Sequence, residues 1–365
     1  MINFKEGLVI EIIKERKDLT EIKVKLEGDT FTAVNFTSLT GDISKGDKVV
    51  LNTTAVELGL GTGGKHFVLW NLSCHSIAAP EGGHIIKLRY TPLQIKVLSV
   101  EEKGSPYHEA MKNTNLNGMP VIVGSLHSQL PAVAATIKHI DSSTRVAYVM
   151  TDGGALPIAF SELVSKLKNM NLIDATITIG HSFGGDYEAI NIYGGLIAAK
   201  YVANADIAIV VMGPGILGTG TPLGFSGIEQ GEIINAVNIL NGQAIAIPRI
   251  SFKDKRKRHF GLSHHTLTAL SKIALTRCVV TLPEMAQEKM EIVRNQLKES
   301  GIMDKHQVEV EDNKETIFAL KDFDLKVTTM GRTVADEPEF FKAAGCAGIY
   351  ALKLLERPGE KFAGS

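Results

Sequence analysis

Pro120-Val121-Ile122-Val123 running into Gly124-Ser125-Leu126-His127-Ser128 sets the reading of the whole chain. A short β-branched run ends in a loop of glycine, hydroxyl and imidazole side chains, and a helical segment follows. The same grammar returns at Val146–Met150 with Thr151-Asp152-Gly153-Gly154, and at Ala175–Ile179 with Gly180-His181-Ser182-Phe183-Gly184-Gly185-Asp186. It recurs at Asp206–Val211 with the long segment Met212–Ser226, and at Ala244–Ile247 with Pro248-Arg249-Ile250-Ser251. Continuous apolar strands alternating with helices are strands buried on both faces, so they predict a mainly parallel sheet in a three-layer α/β domain. Ligands of such sheets bind beyond the carboxyl ends of the strands. The chemically active residue types of this sequence all fall there.

Outward from that core the grammar changes. Residues 1 to about 80 hold short alternating runs (Leu8–Ile13, Thr20–Leu26, Phe31–Phe36, Val49–Asn52) separated by polar or glycine turns, which predicts a small antiparallel β-barrel-like domain. Leu58-Gly59-Leu60-Gly61-Thr62-Gly63-Gly64-Lys65 lacks the following helix of a phosphate loop and reads as a mobile hairpin. Turn-formers cluster at Ala79–Gly83, so the α/β domain is expected to span 81–365. Asp324–Met330 reads as the last strand and Asp336–Lys342 as the start of the last helix.

Charge is balanced, with 39 Lys plus Arg against 40 Asp plus Glu, which argues against nucleic acid as a main partner. Three separated cysteines without ligand spacing fit a reducing cytoplasm rather than a disulfide framework or zinc site. Met1–Glu6 lacks the layout of a signal peptide, and no uncharged apolar run reaches membrane-spanning length, so no membrane is expected.

Gly180-His181-Ser182-Phe183-Gly184-Gly185 places glycines around a serine on a predicted strand-to-helix turn. The run Leu163 through Ser182 resembles the nucleophile elbow of α/β-hydrolases, and that resemblance implies Ser182 as nucleophile, with an acid and a histidine after later strands. Asp254 fits the acid. The histidine is wanting: Gly331-Arg332-Thr333 follows the last predicted strand, leaving His264 and His265 earlier in the order. The alternative for Ser182 is a helix cap. Met212–Gly227, with Gly218, Thr219 and Gly220, is too long for a bare connection and reads as a ligand-covering loop. Ser251–His259 carries Lys253 within a cationic run that makes either a solvated face or an anion-attracting rim. His127, His181, His264 and His265 with Asp152 have the chemistry for zinc, iron or manganese. They lack helical i, i+4 spacing, however, so adjacent histidines at a helix start read as caps or acid–base groups and no metal is assigned.

Gly180–Glu188, Gly218–Gly220, Gly261–Thr266 and Met330–Thr333 together resemble an uncharacterised bacterial family, a domain of unknown function of about this length. The resemblance implies a bacterial, cytosolic protein and no particular activity. Two classes of function stay open. As an enzyme, a hydrolase among the options, the chain would hold a small anionic metabolite with Ser125, His127, Asp152, His181, Lys253 and Arg332, and use His264 or His265 as general acid or base. As a binding or scaffold module it would recognise a metabolite in the same crevice without turnover. The cofactor is unassigned, and a homo-oligomer is compatible with either.

Overall fold

The computed structural model describes residues 1–61 and 63–356. They divide into two compact units, Met1–Leu98 and Ser99 onward.

In the first unit β1 (Phe4–Arg16), β2 (Leu19–Leu26), β3 (Asp29–Asn35), β4 (Lys48–Asn52) and β5 (His66–Asn71), with short helices α1 (Thr37–Thr40) and α2 (Thr54–Glu57), form a closed barrel. Its strands neighbour one another in the order β1-β2-β3-β5-β4. Alternation explains the interior: Val9, Ile22, Val24, Leu26, Ala33, Val49, Leu51 and Val68 point inward and share one core. β1 is long enough to pair with both β2 and β4, and its register shifts at Val9/Glu11 and Ile12/Lys14 bend it around the closure. The expectation of an antiparallel barrel holds for every pairing except β3 with β5, which is parallel. Of the Leu58–Lys65 segment, expected from sequence to be a mobile hairpin, Thr62 lies outside the described residues. A hairpin of β6 (Ile85–Lys87) and β7 (Ile95–Val97) also belongs to this unit. The units therefore divide after Leu98, rather than at the turn-formers of Ala79–Gly83.

The second unit holds β8 (Pro120–Val123), β9 (Val146–Thr151), β10 (Ala175–Thr178), β11 (Tyr187–Glu188), β12 (Ile207–Met212) and β13 (Gln243–Ala246). The chain then makes a small β14 (Ile250–Ser251), β15 (Gly261–Leu262) hairpin before β16 (Val279–Pro283) and β17 (Gln307–Glu311). The eight-stranded sheet runs β11-β10-β9-β12-β8-β13-β16-β17, and every pairing in it is parallel. Helices α3 (Leu130–Ile140), α4 (Glu162–Asn169), α5 (Ile192–Tyr201), α6 (Glu229–Ile239), α7 (His264–Thr268), α8 (Gln287–Glu299), α9 (Ile302–Lys305), α10 (Lys314–Asp322) and α11 (Pro338–Glu356) complete it.

Period-two alternation splits each strand between two cores. Ile207, Ile209 and Val211 of β12 face α3, α4, α10 and most of α11, whereas Ala208 and Val210 face α5, α6 and α8. β8, β9, β10 and β12 are buried along their whole length, and each large aliphatic side chain so buried contributes about 1.5–3 kcal/mol.

The winding positions the site. Connections β8–α3–β9 and β9–α4–β10 step one way along the sheet over one face; β12–α6–β13 steps back over the other. β12 lies between β9 and β8 yet sends its chain to the opposite face, which opens a crevice at its carboxyl end. No described helix is long and apolar enough to cross a membrane.

Two expectations are corrected. Asp324–Met330 is not a sheet strand: only Thr328–Thr329 (β18) is extended, paired with Arg332–Thr333 (β19) in a separate hairpin. Asp324 and Met330 both adopt positive φ, which ends extended structure on either side. The sheet finishes instead with β17. The Gly180–Gly185 turn leads into the edge strand β11, and α5 begins only at Ile192, so the strand-to-helix elbow is absent.

Candidate functional site

The loop after β13 carries the densest chemistry. Arg249 is buried, with its amide on Thr266 Oγ1 (2.8 Å) and its guanidinium between His265 Nδ1 (3.4 Å) and Asp254 Oδ2 (3.9 Å). Burial lowers it to about 10, the nearby Asp254 opposing that shift. Asp254 takes a bidentate pair from Arg256 (2.9 and 2.7 Å), and those hydrogen bonds hold its carboxyl well below the usual range. Arg332 reaches in from the β18–β19 hairpin to Glu337 (2.8 Å) and Asp254 (3.8 Å), while Ser251 Oγ donates to Glu337 (2.5 Å).

Beside this network lie three imidazoles. Ser263 caps α7, its Oγ accepting from the His265 amide (3.2 Å) and hydrogen-bonded to His259 Nδ1 (2.7 Å). One serine thus orients a ring from the loop and the first turn of the helix. Phe225, from the loop after β12, stacks flat on His265 with centroids 4.1 Å apart and meets His264 edge-on at 5.7 Å. Desolvation first, then the surrounding arginines, push His259 and His265 down to about 3, so both are neutral at pH 7.

The β12 loop covers this group. Gly218 backs onto His265 and Gly220, at φ 84°, onto Arg258. Thr219 is spent within the loop, bonded to Gly224 O (3.0 Å) and Thr221 (2.9 Å). At the loop's foot Ala155 N donates to Pro214 O (2.8 Å), and glycines at 154 and 213 are required because a Cβ on either would strike the facing backbone.

A second group lies under that foot. Thr151 Oγ1 at the end of β9 donates to Glu229, the first residue of α6 (2.6 Å). Burial, reinforced by Asp152 and Glu232, raises the Glu229 carboxyl to about 7 against that hydrogen bond. Asp152 accepts from the His181 amide (3.0 Å). Ser182 is fully buried and its hydroxyl donates to Thr151 O (2.9 Å); it is not a helix cap, and its φ is not in the strained positive region of an elbow serine. Four strand spacings of about 4.8 Å separate β10 from β13, roughly 19 Å. The geometry therefore sets Ser182 apart from Asp254, His264 and His265, which share the β13 loop.

His127 and Ser125 follow β8. His127 bonds Met212 O (3.2 Å) and Ser161 Oγ (2.7 Å) and, half-buried, is pushed down to about 4 by desolvation. Both ring nitrogens bolt loops together, and the ring edges a cleft of about 430 Å³ with Ser128, Pro214, Ile216 and Thr329. Ser125 Oγ is buried without a hydrogen-bond partner among the described residues. Lys253 is exposed and acts at range on Asp336.

The model of a family described as "Protein of unknown function (DUF3866)" matches residues 32–348. The chain belongs to this family. Within the DUF3866 span lie the histidine and arginine group from Arg249 to Glu337, Glu229 and the covering loop. No curated protein matches the chain. His259, Arg249, Phe225 and Glu337 are missing from the candidates that sequence motifs offer for this DUF3866 protein. The available signal was three histidines in a single strand-end connection, at 259, 264 and 265, spaced too widely for one helical face but not for a loop closing on a helix start.

Proposed function

We propose that the protein is an enzyme that binds a small anionic metabolite at the carboxyl edge of its sheet and moves a proton with Glu229. The carrying observation is the placement of that carboxyl: half-buried at the switch between β9 and β12, hydrogen-bonded to Thr151, and raised to about 7. A group titrating near neutrality at a topological crevice suits general acid–base work. His264 and His265, the bases expected from sequence, are less suited to it, because burial and the neighbouring arginines lower both imidazoles, His265 to about 3. The anionic character of the ligand rests on Arg249, Arg256, Arg258, Arg332 and Lys253, which share the β13 side with three acids, Asp254, Asp336 and Glu337. The covering loop supplies exclusion of water.

Calorimetry with inorganic phosphate and with succinate on chelator-treated protein tests the anion reading. At least one is expected to bind saturably, and Arg258→Ala, at an exposed position, should weaken it by about 10- to 100-fold, the loss of one charge-assisted hydrogen bond. Absence of saturable binding by both, or binding unchanged in Arg258→Ala, overturns it. Carbon-13 NMR of δ-labelled glutamate tests the proton carrier: one resonance should titrate near pH 7 and vanish in Glu229→Gln.

A further inference from the structure

We propose that His259, His264 and His265 form a three-imidazole site for a divalent transition metal of the zinc or cobalt kind. One nitrogen from each ring lies within 4.8 Å of those of the other two. A tetrahedral ion with bonds of about 2.0–2.1 Å sets its ligand nitrogens about 3.3 Å apart, so the rings need to close by roughly an ångström or more. Their centroids are already 4.4, 5.0 and 5.1 Å apart, the rings tilted or edge-on to one another.

Three features go beyond proximity. Ser263 Oγ on His259 Nδ1 is the outer-shell contact that fixes a ligating ring's tautomer, leaving Nε2 as the lone-pair nitrogen, now met only by Arg258 Nε at 3.3 Å. His264 Nε2 is buried with no hydrogen-bond partner among the described residues, an arrangement that costs free energy unless something takes it up. The Phe225 stack holds His265 in orientation without using either nitrogen. Two contacts compete, Arg258 Nε on His259 Nε2 at 3.3 Å and Arg249 Nη1 on His265 Nδ1 at 3.4 Å, both near the limit of a hydrogen bond, and Asp254 stands 3.9 Å from the second guanidinium. Coordination at His265 therefore displaces a weak interaction.

Charge gives the site its character. Three neutral imidazoles leave both charges of the ion uncompensated, and Arg249, Arg256 and Arg258 crowd the same rings while Asp254 is committed to Arg256. An ion here keeps an open coordination position and fills it with an anion, hydroxide or an oxyanion, that the guanidiniums also attract. The layout is that of a reactive centre rather than a closed structural one.

The test is direct titration of the chelated full-length protein with Co²⁺, followed by visible d–d absorption, and with Zn²⁺ by calorimetry. The expected result is one equivalent of each, with intense low-symmetry cobalt bands, and at least about 100-fold weaker binding in His264→Ala, whose half-exposed ring is not core. His75→Ala, at an exposed position between β5 and β6, should bind as wild type. Should His264→Ala fail to fold, the wild-type cobalt spectrum decides alone. No one-to-one binding, octahedral aquo-type bands, or undiminished affinity in folded His264→Ala each overturn the site. Because these readouts need no added anion, they stand or fall separately from the phosphate and succinate measurements.

Discussion

Two stretches of the sheet's carboxyl edge treat their reactive side chains in opposite ways. Around β9 and β10, Ser182 and Asp152 are absorbed by main-chain groups, Thr151 O and the His181 amide, and Glu229 keeps a proton affinity raised toward neutrality. Beyond β13 the reverse holds: the arginine and acid framework is tied down, and the imidazoles it surrounds cluster with only long contacts on His259 Nε2 and His265 Nδ1 and none among the described residues on His264 Nε2. A serine in a suggestive motif can be architecture. Histidines without a motif can be the site.

The sharpest way to break this contrast is to remove a member of the framework. Arg332→Ala leaves Glu337, which is 1% exposed, without its cation; urea melts should show a loss of about 3–5 kcal/mol, as for a broken buried pair. A loss below about 1 kcal/mol would mean that the framework is ordinary surface pairing.

Acid sensitivity comes next. His127 is held at about 4 in the folded chain against an ordinary 6.5, so the unfolded chain takes up its proton first. Its stabilising contribution is complete above about pH 6.5 and is lost as pH falls toward 4. The loss amounts to roughly 3 kcal/mol, and it should be missing from the pH dependence of stability in His127→Gln.

Glu229 gives the opposite sign. Its folded affinity for the proton exceeds the unfolded one, so stability falls as pH rises from about 4.5 through 7. Glu229→Gln should gain roughly 2 kcal/mol at pH 8 in thermal or urea melts. A destabilised variant would make Glu229 structural.

The smallest effect belongs to Ser182. Ser182→Ala should cost about 1 kcal/mol for one hydrogen bond, and a fluorophosphonate probe should leave wild-type Ser182 unlabelled. Labelling that disappears in the variant would restore the elbow and erase the contrast.

The layers of the fold were legible because burial and period are local: runs such as Ile207–Met212 suit strands covered on both faces, and the alternation of Thr20–Leu26 suits one wall of a barrel. Strand-end placement of Ser125, Asp152, His264 and Gly218 followed from the same rule. The failures have a common cause. Asp324–Met330 is apolar enough for a strand but is interrupted by two positive-φ residues, and the turn after β10 is spent on an edge strand that only sheet pairing reveals.

What the sequence determined by itself is therefore the kind of sheet, the barrel beside it in the chain, and the edge on which reactive groups gather. Tertiary structure alone decided which of those groups meet. Strand order, not strand sequence, sets β10, which leads to Ser182, four strands and roughly 19 Å from β13. It also sets Phe225 on His265 and Arg332 against Glu337, across separations in the chain that no local pattern encodes. Proton affinity follows from that same placement, because desolvation and neighbouring charge arise from the packed surroundings rather than from the residue.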